Sequence, residues 1–207
     1  MTELSILVDR WVEGWGDSRG MTRRRNGDTW TVEVASALRT REYVAASPSR
    51  DVFHGLVSQM TAPDIWLTIV GGLDPWLRDA AAGLPVVNRD ERLMTSALGP
   101  TPIPAQVRID EEGRVGHARI AIDGEIAARG QAAVRGTDVI FDRIETSPPF
   151  RRRGLGRLVM GGLSGWAAAN GATTGLLLAS VEGQQLYRSL GWQEVAPVVT
   201  LSGRAGI

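Results

Sequence analysis

The sequence predicts an α/β protein of the α+β kind, and three observations carry that assignment. Between 105 and 146, apolar and polar residues alternate in four stretches separated by tight-turn residues, the pattern of an antiparallel meander. At 173–179 a short, wholly apolar run, TTGLLLA, sits between two stretches of helical period, as a central strand would. Ahead of both, residues 1–100 mix helical and strand periods in short pieces, which reads as an N-terminal α+β region.

In chain order, Leu4, Leu7, Val8, Trp11 and Trp15 recur at helical spacing over 3–16, and Gly20 ends the element. MTRRRNGDT (21–29) is polar and reads as a loop with solvated arginines. Trp30, Val32 and Val34 alternate as in a strand, Arg41 to Ala46 supplies a second, and Val52, Phe53, Leu56, Val57 and Met60 mark a helix. IWLTIV (65–70) is an apolar run of strand type. The next helix has Asp74 as N-cap and Pro75 at its first position, where the missing N–H would be unpaired anyway, and it stops at Gly83. The proline-marked LGPTPIPAQ (98–106) is the candidate linker, which divides the chain into 1–100 and 101–207. No internal repeat and no low-complexity tract is visible.

The meander strands are expected at 105–110, 114–122, 125–134 and 138–146, joined by DEEG, by Asp123-Gly124 and by RGT. Leu155, Leu158, Val159, Leu163 and Trp166 then form a helical stripe closed by Asn170-Gly171. After the 173–179 strand, Ser180 is placed to cap a short helix from about 181 to 190, and a last strand starts at Trp192.

Composition removes several chemistries. With 43% hydrophobic residues the chain can build one large core or two small ones. All 23 basic residues are Arg and there is no Cys, so thiol nucleophiles, disulfides, Lys Schiff bases and a P-loop lysine are excluded. Only His54 and His117 are available as imidazole ligands, and no metal is expected. No stretch has the length of an apolar membrane span and the first residues are not basic, so a cytoplasmic protein without membrane association is expected. A net charge of +0 argues against a nucleic-acid partner. From Thr146 onward, however, six Arg stand against two Glu, an excess of 6 − 2 = +4 that suits a small polyanion.

SPPFRRRGLGRLVM (147–160) sets three arginines against a Gly-Leu-Gly turn at the start of a helix. Glycines let backbone amides approach a ligand closely, and the helix start adds unpaired N–H groups and the positive end of its dipole. Arginine contributes charge-assisted contacts to phosphate oxygens. Such a loop is suited to a pyrophosphate. A dinucleotide fingerprint does not fit, because Gly154 and Gly156 are followed by Arg157, Leu158 and Val159, and the preceding strand belongs to a meander.

The same residues resemble the GNAT family of acetyl-CoA-dependent N-acetyltransferases. Arg151-Arg152-Arg153-Gly154-Leu155-Gly156 is similar to the family's Arg/Gln-x-x-Gly-x-Gly/Ala loop, Thr146-Ser147-Pro148 to the end of its fourth strand, and LYRSLGW (186–192) to its Leu-Tyr-x-x-x-Gly-aromatic signature. The resemblance covers roughly 105 to 200. It implies the GNAT acyltransferase fold, a mixed and mostly antiparallel sheet flanked by helices, with 101–207 as the catalytic core. It implies acetyl-CoA as co-substrate, with Arg151, Arg152, Arg153, Gly154, Leu155, Gly156 and Arg157 at the pyrophosphate and main-chain groups of Ile144 and Thr146 at the pantetheine arm. A backbone N–H there can also meet a developing oxyanion. Ser180 stands where the family often has Asn, and Gly183 where a small Ala is common, which implies altered coenzyme contacts.

In the family's terms Tyr187 is the proton donor to the departing thiolate. An ammonium acceptor must lose a proton before it attacks, and Glu145 is the first candidate for that base, with Asp142 and His117 as alternatives. The expected activity is direct transfer of acetyl to a primary amine of a small molecule or peptide. The alternative is a coenzyme A-binding sensor or structural protein of the same fold without catalysis. The acceptor, a longer acyl donor and a homodimer are left open. Residues 1–100 either pack on the core, completing its sheet through 65–70, or form a degenerate second copy, or lie as a lid on the substrate side.

Overall fold

Each half of the chain is organised around a parallel pair of strands with a helix between them. In the computed structural model, which describes residues 2–204, the chain divides into two units. Unit 1 takes residues up to Gly16, Gly20–Leu93 and the chain from Glu194 onward; unit 2 takes Asp17–Arg19 and Met94–Gln193. The boundary expected at 100 therefore falls several residues early, and the last strand lies in the first unit rather than with the residues that precede it.

Helix α1 (Glu3–Arg19) opens the chain. In unit 1 it is followed by β1 (Arg23–Asn26), β2 (Thr29–Glu33), β3 (Arg41–Ala46), α2 (Arg50–Val57), β4 (Ile65–Val70) and α3 (Pro75–Ala80). Strand order is β1-β2-β3-β4-β11, where β11 is Gln193–Ser202. β3 and β4 run parallel, while β4 and β11 are antiparallel. Phe53 and Leu56 of α2 are buried with Tyr43, Leu67, Ile69, Val199 and Leu201. The buried carboxylate of Glu42 is satisfied by Arg39 and by Thr68 Oγ1, which donates at 2.5 Å. A charged group this deep is tolerated because it is paired and hydrogen-bonded.

Strand β5 (Val86–Ala97) crosses the boundary between the units in sequence. Unit 2 continues with β6 (Arg108–Glu112), β7 (Val115–Ile122), β8 (Glu125–Arg135) and β9 (Asp138–Thr146), the expected antiparallel meander. A single 3-10 turn at Pro148–Phe150 leads into α4 (Leu155–Ala169), then β10 (Thr174–Ala179) and α5 (Val181–Ser189). The order here is β10-β9-β8-β7-β6, with β10 parallel to β9. The predicted stripe of α4 is buried at Leu155, Val159, Leu163 and Trp166, against Ala118, Ile120, Ala128, Val134 and Phe141. Trp166 completes its hydrogen bonding by donating Nε1–H to Glu111 at 2.6 Å.

Three sequence expectations change. The polar 21–29 segment contains β1, whose arginines are mostly exposed and which pairs with β2 through its backbone. β5 was not anticipated, because VVNRDERLMTSA carries charges at alternate and adjacent positions and shows no clean period. The chain also repeats itself: meander, helix, parallel strand, helix occurs as β1–β3, α2, β4, α3 and again as β6–β9, α4, β10, α5. Ser-Pro follows the meander in both copies, at 47–48 and at 147–148. Among the described residues no helix is long and apolar enough to cross a membrane.

Candidate active site

The site begins with an interruption in the sheet. β9 and β10 are joined only through Thr174–Asp138, Gly175–Val139 and Leu176–Ile140, although β9 continues to Thr146 and β10 to Ala179. On its other edge, β9 passes from Asp142 opposite Gln131 to Glu145 opposite Arg129, so it spends one more residue than β8 over that interval. This is a β-bulge, and the extra residue bends its strand. Arg143 within it has φ +52°, a left-handed conformation that a Cβ disfavours. The pairing with β10 already ends at Ile140, before the bulge, so from there on the backbone groups of β9 on that edge are open to a ligand.

The loop beyond β9 is built for close approach. Gly154 is the N-cap residue of α4 with φ +76°, and a Cβ placed on it would meet nothing within 4 Å. Glycine is favoured there by the backbone conformation, and the space beside it is free. No side chain caps this helix end. The N–H groups of Leu155, Gly156 and Arg157 have no carbonyl one turn earlier to receive them, so they and the helix dipole point outward together. Arg157 donates to Ser189 Oγ at 2.9 Å, and the guanidinium of Arg153 lies 5.6 Å over the ring of Phe150.

These elements enclose a cleft of about 480 Å³. Ile144, Glu145, Thr146, Arg151, Arg152, Gly154, Leu155, Gly156, Arg157, Ser180 and Tyr187 all line it. Of the residues singled out from the sequence as coenzyme contacts, Arg153 alone is not in the lining; it turns onto Phe150 instead. Glu182, which the sequence analysis did not single out, joins the lining with Gly183 and Leu186, named there only as the place of a small residue and as part of LYRSLGW, because the first turns of α5 form one wall.

Ser180 caps α5, its hydroxyl accepting from Gly183 N at 3.2 Å. Tyr187, one turn later, packs its ring near Trp192 at 6.0 Å between centroids and over Gly183, where a Cβ would stand 2.9 Å from Cε2. The ring is buried while its hydroxyl makes no hydrogen bond among the described residues. Burial, with a smaller contribution from the Asp142 carboxylate, pushes the phenol up to about 12. At neutral pH it therefore holds its proton.

The three candidate bases differ in their surroundings. Asp142 accepts from Arg19 Nε at 2.6 Å and Nη2 at 2.7 Å, from Gln131 at 3.2 Å and from Ser18 at 3.3 Å. Those contacts tie residues 17–19 to the meander and occupy the carboxylate. Glu145 receives Arg129 on one oxygen only, Oε2, at 2.8 and 3.0 Å, and stays half exposed at the lip of the cleft. His117 lies in the lining of a neighbouring cleft over the meander. Nothing in the sequence announced the Arg19–Asp142 pair, since 123 residues separate the partners.

Residues 75–192 match the Acetyltransferase (GNAT) family. No curated protein matches the chain in sequence. Among solved structures, a GCN5-related N-acetyltransferase from Kribbella flavida aligns over 100% of this chain and 97% of its own, with 18% identity and a TM-score of 0.68. A GNAT-family protein from Novosphingobium aromaticivorans aligns over 96% and 97%, with 19% identity and a TM-score of 0.66. A GCN5-related N-acetyltransferase-like protein from Streptococcus suis does so over 98% and 99%, with 12% identity and a TM-score of 0.58. At these identities the likeness concerns the fold, and it runs through both units.

Proposed function

The chain belongs to the GNAT family and is an acetyltransferase, and from that premise we propose that it moves acetyl from acetyl-CoA directly to a primary amine of a small molecule or peptide. The observation that carries this reading is the convergence, in one cleft, of an uncapped glycine-started helix, an opened strand edge and a buried protonated phenol.

The residues fit the coenzyme part by part. The amides at the start of α4, with Arg151 and Arg152, would hold the pyrophosphate, and the open edge at Ile144 and Thr146 would take the amide-containing pantetheine arm. Ser180, already capping α5, keeps an acceptor lone pair and its own O–H for the coenzyme. Acetyl-CoA supplies the acyl group already activated as a thioester.

Glu145, directly or through one water, takes the proton of the incoming ammonium and frees the nitrogen lone pair. The new N–C bond forms as the C–S bond breaks, and the nitrogen, cationic after attack, sheds its second proton to solvent to leave the neutral amide. Tyr187 gives its proton to the sulfur and regains one from solvent or from the proton held at Glu145. With no Cys in the chain, the commonest acyl-carrying nucleophile is missing, which favours direct transfer.

The test is release of free thiol from acetyl-CoA in the presence of a panel of amines. Amine-dependent release is the expected result. Tight coenzyme A binding with no release for any amine would replace this reading by that of a sensor of the same fold.

A further inference from the structure

A second cleft, of about 470 Å³, lies over β6–β9 and is lined by Asp110, His117, Arg119, Arg129, Arg143 and Glu145 among others. Glu145 is common to both clefts. A molecule seated here would therefore meet the carboxylate that borders the coenzyme cleft.

The charges in this lining are unequal in a specific way. Arg119 is paired with Asp110 at 3.0 Å and Arg129 with Glu145 at 2.8 Å. Both acids thus have a guanidinium partner, and a third guanidinium is left over. Arg143 has no hydrogen bond and no ion pair among the described residues, and neither has His117. Arg143 is also the residue at φ +52° in the bulge, where Gly, Asn or Asp would sit with less strain. A bulge re-aims the side chains it carries. Retaining a strained arginine there, unpaired and two residues from Glu145, is unexplained by packing.

We infer that the acceptor is an amine that also carries a carboxylate, with Arg143 receiving the carboxylate and Glu145 facing the ammonium. A carboxylate matches the unpaired Arg143, since a guanidinium binds it in a bidentate fork, and Glu145 Oε1, which takes no bond from Arg129, is left to accept from the ammonium. The exposed Ile126 in the same lining offers an apolar flank to the remainder of the molecule. This inference rests on the acetyltransferase reading for the role of Glu145, but the binding it asserts does not require turnover.

The experiment compares amino carboxylates, from glycine to 6-aminohexanoate and including leucine, each with its own carboxamide. Both are measured as acceptors with acetyl-CoA and as ligands of the coenzyme A-loaded protein by calorimetry. At least one carboxylate should exceed its carboxamide in kcat/KM and in affinity by about tenfold to a hundredfold, the range of a hydrogen bond to a charged group. Arg143→Gly should bring that ratio toward one while raising the melting temperature, because it removes the backbone strain. Arg143→Gln, which keeps the side-chain volume, should also lower the ratio. Carboxamides equal to or better than carboxylates throughout would overturn the inference and leave the acetyltransferase reading intact. Binding of a carboxylate in preference to its carboxamide, without transfer to any member, would make Arg143 a carboxylate site that does not serve the acceptor and would overturn the inference. Absence of binding and transfer for every member would overturn the inference.

Discussion

Tyr187 holds its proton because its ring is buried, and the same residue lines the cleft. Replacing it by Phe preserves the ring against Gly183 and Trp192, so coenzyme affinity should change little. Turnover should fall toward the low end of the ~10²–10⁴-fold typical of losing a general acid, since a thiolate leaves readily. The reduction should appear equally in kcat and kcat/KM, and steady-state kinetics in a chemistry-limited assay would reveal it. Unchanged kcat would assign Tyr187 to packing alone. The acidity has its own test. With no Lys and no Cys, Tyr43 and Tyr187 are the only side chains whose ordinary pKa lies between about 9 and 12. The phenol of Tyr187 is raised from its unfolded value of about 10 to about 12. The stability it contributes by staying protonated is therefore complete below pH ~10 and is lost as pH rises through about 12. In a phenolate absorbance titration, Tyr187→Phe should remove an ionisation centred near 12. Loss of one centred near the ordinary tyrosine value would contradict the burial.

At the level of elements, the loop before α4 gives the most direct test. Gly154→Val adds a β-branched side chain at φ +76°, where it is strained by roughly 1–2 kcal/mol, and fills the free space beside the helix N–H groups. Coenzyme A should raise the melting temperature of the native protein, NAD should not, and the variant should show neither shift. Equal shifts with NAD and coenzyme A, or micromolar coenzyme binding by the variant, would reject the loop as a pyrophosphate site. This element was legible in sequence because its requirement is local: Arg151–Gly156 must be written in consecutive residues whatever surrounds them. Tyr187 was singled out through LYRSLGW, likewise a run of consecutive residues, by its resemblance to the family signature. The bulge was not, since it exists only as a register difference between β8 and β9, and DRIET reads as an ordinary strand. Likewise Asp142 looked like an available base until Arg19, far away in sequence, took both of its oxygens. β5 and β1 escaped because their pairing is made by backbone groups while their side chains are largely polar.

Over the whole molecule, two copies of one element order have been given different fates, and several of their differences lie at the equivalent of the proposed coenzyme site. In the first copy β3 and β4 stay paired through six consecutive positions, from Arg41–Ile65 to Ala46–Val70. β2 and β3 pair without a register step, so no bulge bends the strand away. Only Ser47-Pro48-Ser49 separates β3 from α2, with neither the arginines nor the glycines of the second copy. The start of α2 is also already satisfied, because the Ser49 side chain accepts from Val52 N at 3.4 Å, whereas α4 has no side-chain cap. A closed strand edge and a filled helix cap leave no place for a pantetheine arm or a pyrophosphate, so the first copy should bind no coenzyme. Calorimetric titration should then give one coenzyme A per chain, and Gly154→Val should abolish all of it. A stoichiometry of two, or a weaker binding event surviving in the variant, would mean that the first copy can open its strands despite continuous pairing.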